Sequence, residues 1–208
     1  MTNVEQLGPY QLEQRPGVFP LGGDTLALGQ FATLRKGWRV CDLGTGSGVL
    51  LLLLVGREPQ LELFGLDQDP TASALATENL RRNGLEGEVW TGNWSQVPFP
   101  PGRFDLVVSN PPYYAPGSGK DGGPARMEQE ELDTLCQAAA RLLRNGGRFA
   151  LSFPTQRMAD LFEAMRCWDL EPKRLKLLSH TPQKPPYAML VEGVRQGKPG
   201  LQVLPCQE

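Results

Sequence analysis

From Trp38 onward, short apolar runs alternate with longer segments of helical periodicity, and this alternation restricts the fold more than any other feature of the chain. WRVCDLG, LELFGLD, EGEVWTG, FDLVVSN and RFALSF have strand length, whereas GVLLLLLVGRE, PTASALATENLRRNG and EQEELDTLCQAAARLLRNGG have helix length. Strands separated by such helices read as βαβ units, which bury a parallel sheet between helical layers. The predicted fold class is therefore α/β, a doubly wound, mostly parallel sheet with helices on both faces. Asn83-Gly84 and Asn145-Gly146-Gly147 supply left-handed residues to close the helices before them. Past Phe153, the run QRMADLFEAMRCWDL reads as a further helix, followed by RLKLLSH and YAMLVEGV. These last two are predicted to form an antiparallel hairpin at the C-terminal edge, bringing the sheet to seven strands. Ahead of Trp38, Asp24 stands as the N-cap of a helix over TLALGQFATLRKG that stops at Gly37.

With 208 residues and a hydrophobic fraction of 40 %, the chain fits a single domain with a full core. Residues 1–37 are expected to be a leader and helix packing on the core, and residues 38–208 the main domain. A net charge of −2 lacks the overall basicity of many nucleic-acid binders, so any RNA contact must come from a local patch. Cys41, Cys136, Cys167 and Cys206 form no CxxC pair, which predicts reduced thiols and no metal site. The N-terminus lacks a signal pattern, and the apolar run Val49 to Val55 is too short for a membrane span. The expectation is a soluble, cytoplasmic protein.

Asp42-Leu43-Gly44-Thr45-Gly46-Ser47-Gly48 follows the first strand of the alternation and opens its first helix, where a ligand close to the backbone requires residues without Cβ. A dinucleotide loop would need a third glycine where Val49 stands, and no Walker-type GKS or GKT follows. Asp67 ends the next strand, where an acidic side chain in a doubly wound fold can accept both hydroxyl protons of a ribose. Asn93 ends the strand after that. On their own, the glycines also suit a tight turn and the acids suit caps.

Asn110-Pro111-Pro112-Tyr113 closes the strand FDLVVS at the same sheet edge. Prolines fix φ and hold the preceding residue extended, so Asn110 stands on a stiff arm. An amide oxygen there, helped by the Pro111 carbonyl, can hold the two N–H protons of a planar amino group while its lone pair is aimed at an electrophilic centre. Tyr113 can stack on the acceptor ring, and Tyr114 either extends that platform or packs in the core. The ordinary alternative is a post-strand turn. APGSGKDGGPAR, from Ala115 to Arg126, reads as a mobile loop beside a site, with Lys120 and Arg126 as candidate phosphate contacts.

DxGxGxG resembles the cofactor motif of Rossmann-like methyltransferases. The resemblance implies S-adenosyl-L-methionine, with Gly44, Gly46 and Gly48 under its amino-acid end and Asp42 receiving its ammonium or the adjacent amides. It places Asn93 where such enzymes usually carry an acid bonded to the adenine amino group. With GVFPLGGDTLAL, GLDQDP, FDLVVSNPPYY, ARMEQEEL and KPGLQVLP added, the chain is similar to the bacterial tRNA (adenine-N6)-methyltransferases that modify a valine-accepting tRNA beside the anticodon. This resemblance implies tRNA as partner and brings Asp24 and the Phe19 region to the methionine end of the cofactor. Where that family commonly has Ala-Arg-His-Glu, this chain has Ala125-Arg126-Met127-Glu128, so no imidazole acts there. Lys173, Arg174, Lys176, Lys184, Arg195 and Lys198 form a candidate tRNA-facing patch, and His180 reads as structural.

A protein-glutamine N5-methyltransferase would use the same NPPY chemistry on a side-chain amide. Such enzymes carry a helical recognition domain for which the leader here is too short. Ribosomal RNA or DNA amino-methyltransferases share the core, and a cofactor-binding module without transfer activity is the non-enzymatic alternative. Oligomeric state is not legible in the sequence.

Overall fold

The computed structural model describes residues 3–111, 129–181 and 183–205, with only the backbone of 129 and 130. Its main sheet has eight strands: β3 (Arg39–Leu43), β4 (Glu62–Asp67), β5 (Gly87–Thr91), β6 (Phe104–Ser109), β7 (Leu143–Pro154), β8 (Leu170–Leu178), β9 (Ala188–Arg195) and β10 (Gln202–Val203). Their order is β10-β8-β9-β7-β6-β3-β4-β5. The seven expected strands are present, and the two-residue β10 adds an eighth by pairing in parallel with β8. β9 alone runs against the others, pairing antiparallel with β7 and β8.

Side-chain alternation sends Val40, Leu106, Val108, Ala150 and Leu190 to one face, under α1 (Gly23–Phe31) and α2 (Val49–Arg57). α3 (Pro70–Arg82) continues that layer through Leu80, packed with Leu51, Leu52 and Val55 of α2. The opposite face presents Cys41, Leu43, Phe64, Val107 and Phe149 to α4 (Gln129–Leu142) and α5 (Met158–Cys167). Covered on both sides, the central strands bury apolar side chains on each face, as a parallel sheet requires.

Three local expectations are corrected. Gly22, not Asp24, is the N-cap of α1, and Asp24 lies in the first turn. The helix ends at Phe31, before the expected Gly37. The Asn145-Gly146-Gly147 turn falls inside β7, where the register with β6 shifts between Phe104 and Leu106, and Gly146 takes φ 74°.

Residues read as an irregular leader form an antiparallel hairpin, β1 (Asn3–Leu7) and β2 (Tyr10–Gln14). α3 anchors it through two asparagines one turn apart. Asn79, fully buried, accepts from Glu13 N at 2.9 Å and donates to Glu13 O at 3.0 Å and Ser47 O at 2.9 Å. Asn83 makes the same two-way contact with Gln11. One amide thus ties the hairpin to the glycine loop. Asn79→Ala leaves three buried backbone groups without this partner, and urea denaturation should show a loss of about 2–3 kcal/mol.

Candidate active site

β3 pairs in parallel with β4 on one side and β6 on the other. The loops that leave its carboxyl end and that of β6 therefore diverge, which is where doubly wound sheets open a crevice. Ser109 Oγ, buried, donates to Leu43 O at 2.7 Å and fixes the two strand ends together. The crevice is a cleft lined by the glycine loop, Asp67 to Asp69, Gly92 to Trp94 and the strap Gly17 to Pro20, with Thr25 and Asn110 also on its wall.

The glycine loop needs its glycines. Gly44, Gly46 and Gly48 hold φ of 80°, 55° and 80°, a region that strains other residues. A Cβ on Gly48 would stand 3.2 Å from Ala76 Cβ of α3, whereas Gly46 faces open space. Asp67 Oδ2 accepts from Gly46 N at 2.7 Å and its Oδ1 from Asp69 N at 2.9 Å, so one carboxylate holds the loop and the start of α3 while lining the cleft.

Asp42 is 1 % exposed, and among the described residues neither of its carboxyl oxygens has a hydrogen-bond partner. The Thr45 hydroxyl faces it without closing a bond. Burial pushes the Asp42 carboxyl up to about 7, with the Thr45 hydroxyl opposing the rise and the charge of Asp67 adding to it. The cleft lining includes Asp42, Asp67 and Asp69, and among its described residues there is no Lys or Arg. Such a site repels a pyrophosphate and attracts a cation.

At the acceptor side, Asn110 Nδ2 donates to Thr25 Oγ1 at 2.7 Å. This bond leaves Asn110 Oδ1 buried without a partner among the described residues. Thr25, itself 3 % exposed, is a positioning residue that the sequence reading missed, because 85 positions separate it from Asn110. Pro111 is buried behind the arm, while Pro112, Tyr113, Tyr114, Lys120 and Arg126 lie outside the described residues.

Asn93 lines the cleft, but its Oδ1 accepts from Ser95 N at 2.9 Å and so caps a short 3-10 turn. Trp94, next in that turn, adds an aromatic wall: its Cζ3 lies 3.6 Å from where a Gly44 Cβ would stand. Phe19, 53 % exposed, lines the strap side. Asp24 is not among the lining residues, and its Oδ1 accepts from Thr25 N at 2.9 Å. In the basic stretch, Arg174 is engaged by fully buried Glu192, Thr33 and the Phe31 carbonyl, and Lys173 by the Lys198 carbonyl, so these do not form one free patch.

This sheet order, with a glycine loop after its central strand and an acidic cleft, defines a Rossmann-like methyltransferase fold. A methyltransferase from Pyrococcus furiosus superimposes with a TM-score of 0.70 at 19 % identity, over 91 % of this chain and 90 % of that one. The family model described as "Methyltransferase small domain" matches residues 10–166, and the chain belongs to that family. Among curated relatives, a tRNA1(Val) (adenine(37)-N6)-methyltransferase of Parabacteroides distasonis is 30 % identical over 83 % of this chain and 75 % of its own length. A ribosomal RNA small subunit methyltransferase C of an Enterobacter species is 35 % identical over 69 % of this chain. The chain spans 64 % of the length of two further tRNA relatives and 42 % of the Enterobacter one. Among the described residues, no helix is long and apolar enough to cross a membrane.

The raised Asp42 makes stability depend on pH. With a folded value of about 7 against an unfolded value near 3.8, the native state binds the extra proton between those limits. Stability from this group is fully present below about pH 4 and is lost as pH rises through 7, by up to about 4 kcal/mol. Asp42→Asn should flatten that decline in denaturation curves from pH 4 to 8, while weakening binding of a cationic ligand in calorimetry.

Proposed function

We propose that the protein is an S-adenosylmethionine-dependent methyltransferase acting on the N6 amino group of adenine in tRNA. The observation that carries this reading is Asn110: its amide nitrogen is committed to Thr25, and its oxygen is left buried without a partner among the described residues at the edge of an acidic cleft. The cleft fits the cofactor. Buried Asp42 lacks a counter-charge that an ammonium supplies, Gly46 leaves room for close approach, and Asp67 retains lone pairs for a ribose diol. Trp94 offers a flat wall for the adenine ring, with Asn93 beside it. When bound, the cofactor supplies an electrophilic methyl group on a sulfonium.

The chain's own residues prepare the nucleophile. Asn110 Oδ1 accepts one amino N–H, and the Pro111 carbonyl takes the other, so the nitrogen turns pyramidal with its lone pair toward the cleft. No strong base is needed, because orientation can supply up to roughly 7–11 kcal/mol of a barrier, and the nitrogen, cationic and acidic once alkylated, gives up one of its protons to water. Tyr113 completes the arrangement by stacking on the base, which is worth about 1–3 kcal/mol, after the base has left its own stack. The tRNA relatives support adenine in tRNA, and the ribosomal relatives supply the second reading, an amino group in ribosomal RNA.

The protein is incubated with labelled cofactor and, in parallel, unmodified tRNA, ribosomal RNA and release factor, and the product is identified by mass spectrometry. N6-methyladenosine in tRNA is expected. Label confined to ribosomal RNA selects the second reading, and label in no RNA overturns both. Asn110→Ala should lower kcat by about 10²–10³ with cofactor affinity nearly intact, as for loss of one directed hydrogen-bonding group. Thr25→Val frees the Asn110 amide to rotate and should lower kcat about tenfold, equivalent to ~1.4 kcal/mol, with Thr25→Ser restoring it.

A further inference from the structure

β8 runs in the same direction as β7, so the loop joining β8 to β9, residues 179–187, stands at the carboxyl edge of the sheet with the cleft. Its base is fixed: Tyr187 N donates to Leu178 O at 3.0 Å, and Thr155 Oγ1, just past β7, donates to Pro186 O at 2.7 Å. Within it, His180 is exposed and lies flat on the half-buried Tyr187, with ring centroids 4.3 Å apart and planes 9° from parallel. The phenol covers one face of the imidazole, and the His180 residue is exposed. From Leu175 to Met189 the chain carries Lys176, His180 and Lys184 and no acidic residue, although the whole molecule is acidic.

This pair is connected to the acceptor arm. Thr155, which holds the loop, follows β7, and β7 pairs in parallel with β6, at whose end Asn110 stands. The stacked rings thus stand at the same sheet edge as the oxygen assigned to hold the amino group. An exposed ring braced by a second one, on a stretch of chain that carries Lys176 and Lys184 and no carboxylate of its own, matches a nucleotide: a planar base with a phosphate.

We propose that His180, braced by Tyr187, together with Lys184, receives the nucleotide next to the target base in the RNA substrate. The inference rests on the RNA reading above and names a part of the recognition surface that reading leaves open. His180 acts as a stacking platform held at a fixed height by Tyr187, and Lys184 as a phosphate contact. Both position the RNA, and neither takes part in the methyl transfer.

The test uses the full chain and an unmodified tRNA transcript, with RNA affinity from filter binding and kcat and KM from labelled methyl transfer. His180→Ala and Lys184→Ala should each raise Kd and KM for RNA about five- to tenfold, in the range of one lost stack or phosphate contact. Both should leave saturating kcat and cofactor affinity within about twofold of the parent. His180→Phe, which keeps a ring, should restore affinity, and Lys184→Ala alone should reduce the salt dependence of binding by about one counterion. If the parent methylates RNA and both variants bind it as tightly, this inference falls while the RNA reading stands. If the parent labels release-factor glutamine and no RNA, both fall. A drop in kcat at saturating RNA for His180→Phe would also overturn the positioning role.

Discussion

β3 bonds to β4 on one side and β6 on the other, and the chain winds outward from it in opposite senses. The loops beyond β3 and β6 must part, and whatever stands at those two strand ends faces a crevice whose walls are already built. Asp42 and Asn110 occupy those places, on the face that α1 and α2 cover. The remaining features of the site, including the strap, the Trp94 wall and the Thr25 bond, are arranged around that divergence.

A carboxyl group buried without a partner is an expensive thing for a fold to hold, and burial raises Asp42 to about 7 accordingly. The surrounding construction keeps it in place: Asp67 clamps Gly46, Gly48 lies against Ala76, and Asn79 holds Ser47 from below. The stability forgone in burying that carboxyl is what a cationic ligand beside it would restore. Asn110 repeats the logic with a neutral group, its nitrogen satisfied by Thr25 and its oxygen left free. Both orphaned atoms lie where proposed ligands would complete them, which fits a site organised before binding.

Much of this was legible along the chain because it rests on short-range rules. Strand and helix periods differ, glycine tolerates positive φ, and proline stiffens the residue before it, so the sheet, the loop and the arm can be read within windows of about ten residues. The β1–β2 hairpin was missed because its five-residue strands around Gly8-Pro9 are mostly polar and are held from a distance, by Leu12 packing against α2 and by Asn79 and Asn83. The end of α1 at Phe31 was missed because the apolar spacing continues past it, while the chain turns to bring Thr33 onto buried Glu192.

The sequence by itself determined the α/β class, the glycine loop that admits a backbone-close ligand, and the chemistry an Asn-Pro-Pro-Tyr arm can perform. The tertiary structure alone decided that Asp42 is buried without a partner, that Asn93 caps its own turn beside the Trp94 wall, and that Thr25 orients Asn110. It also set the ring of His180 on Tyr187 at the same edge as the acceptor arm. Charge state, orientation and adjacency arise from groups separated by tens of residues, and only the closing of the sheet brings them within bonding distance.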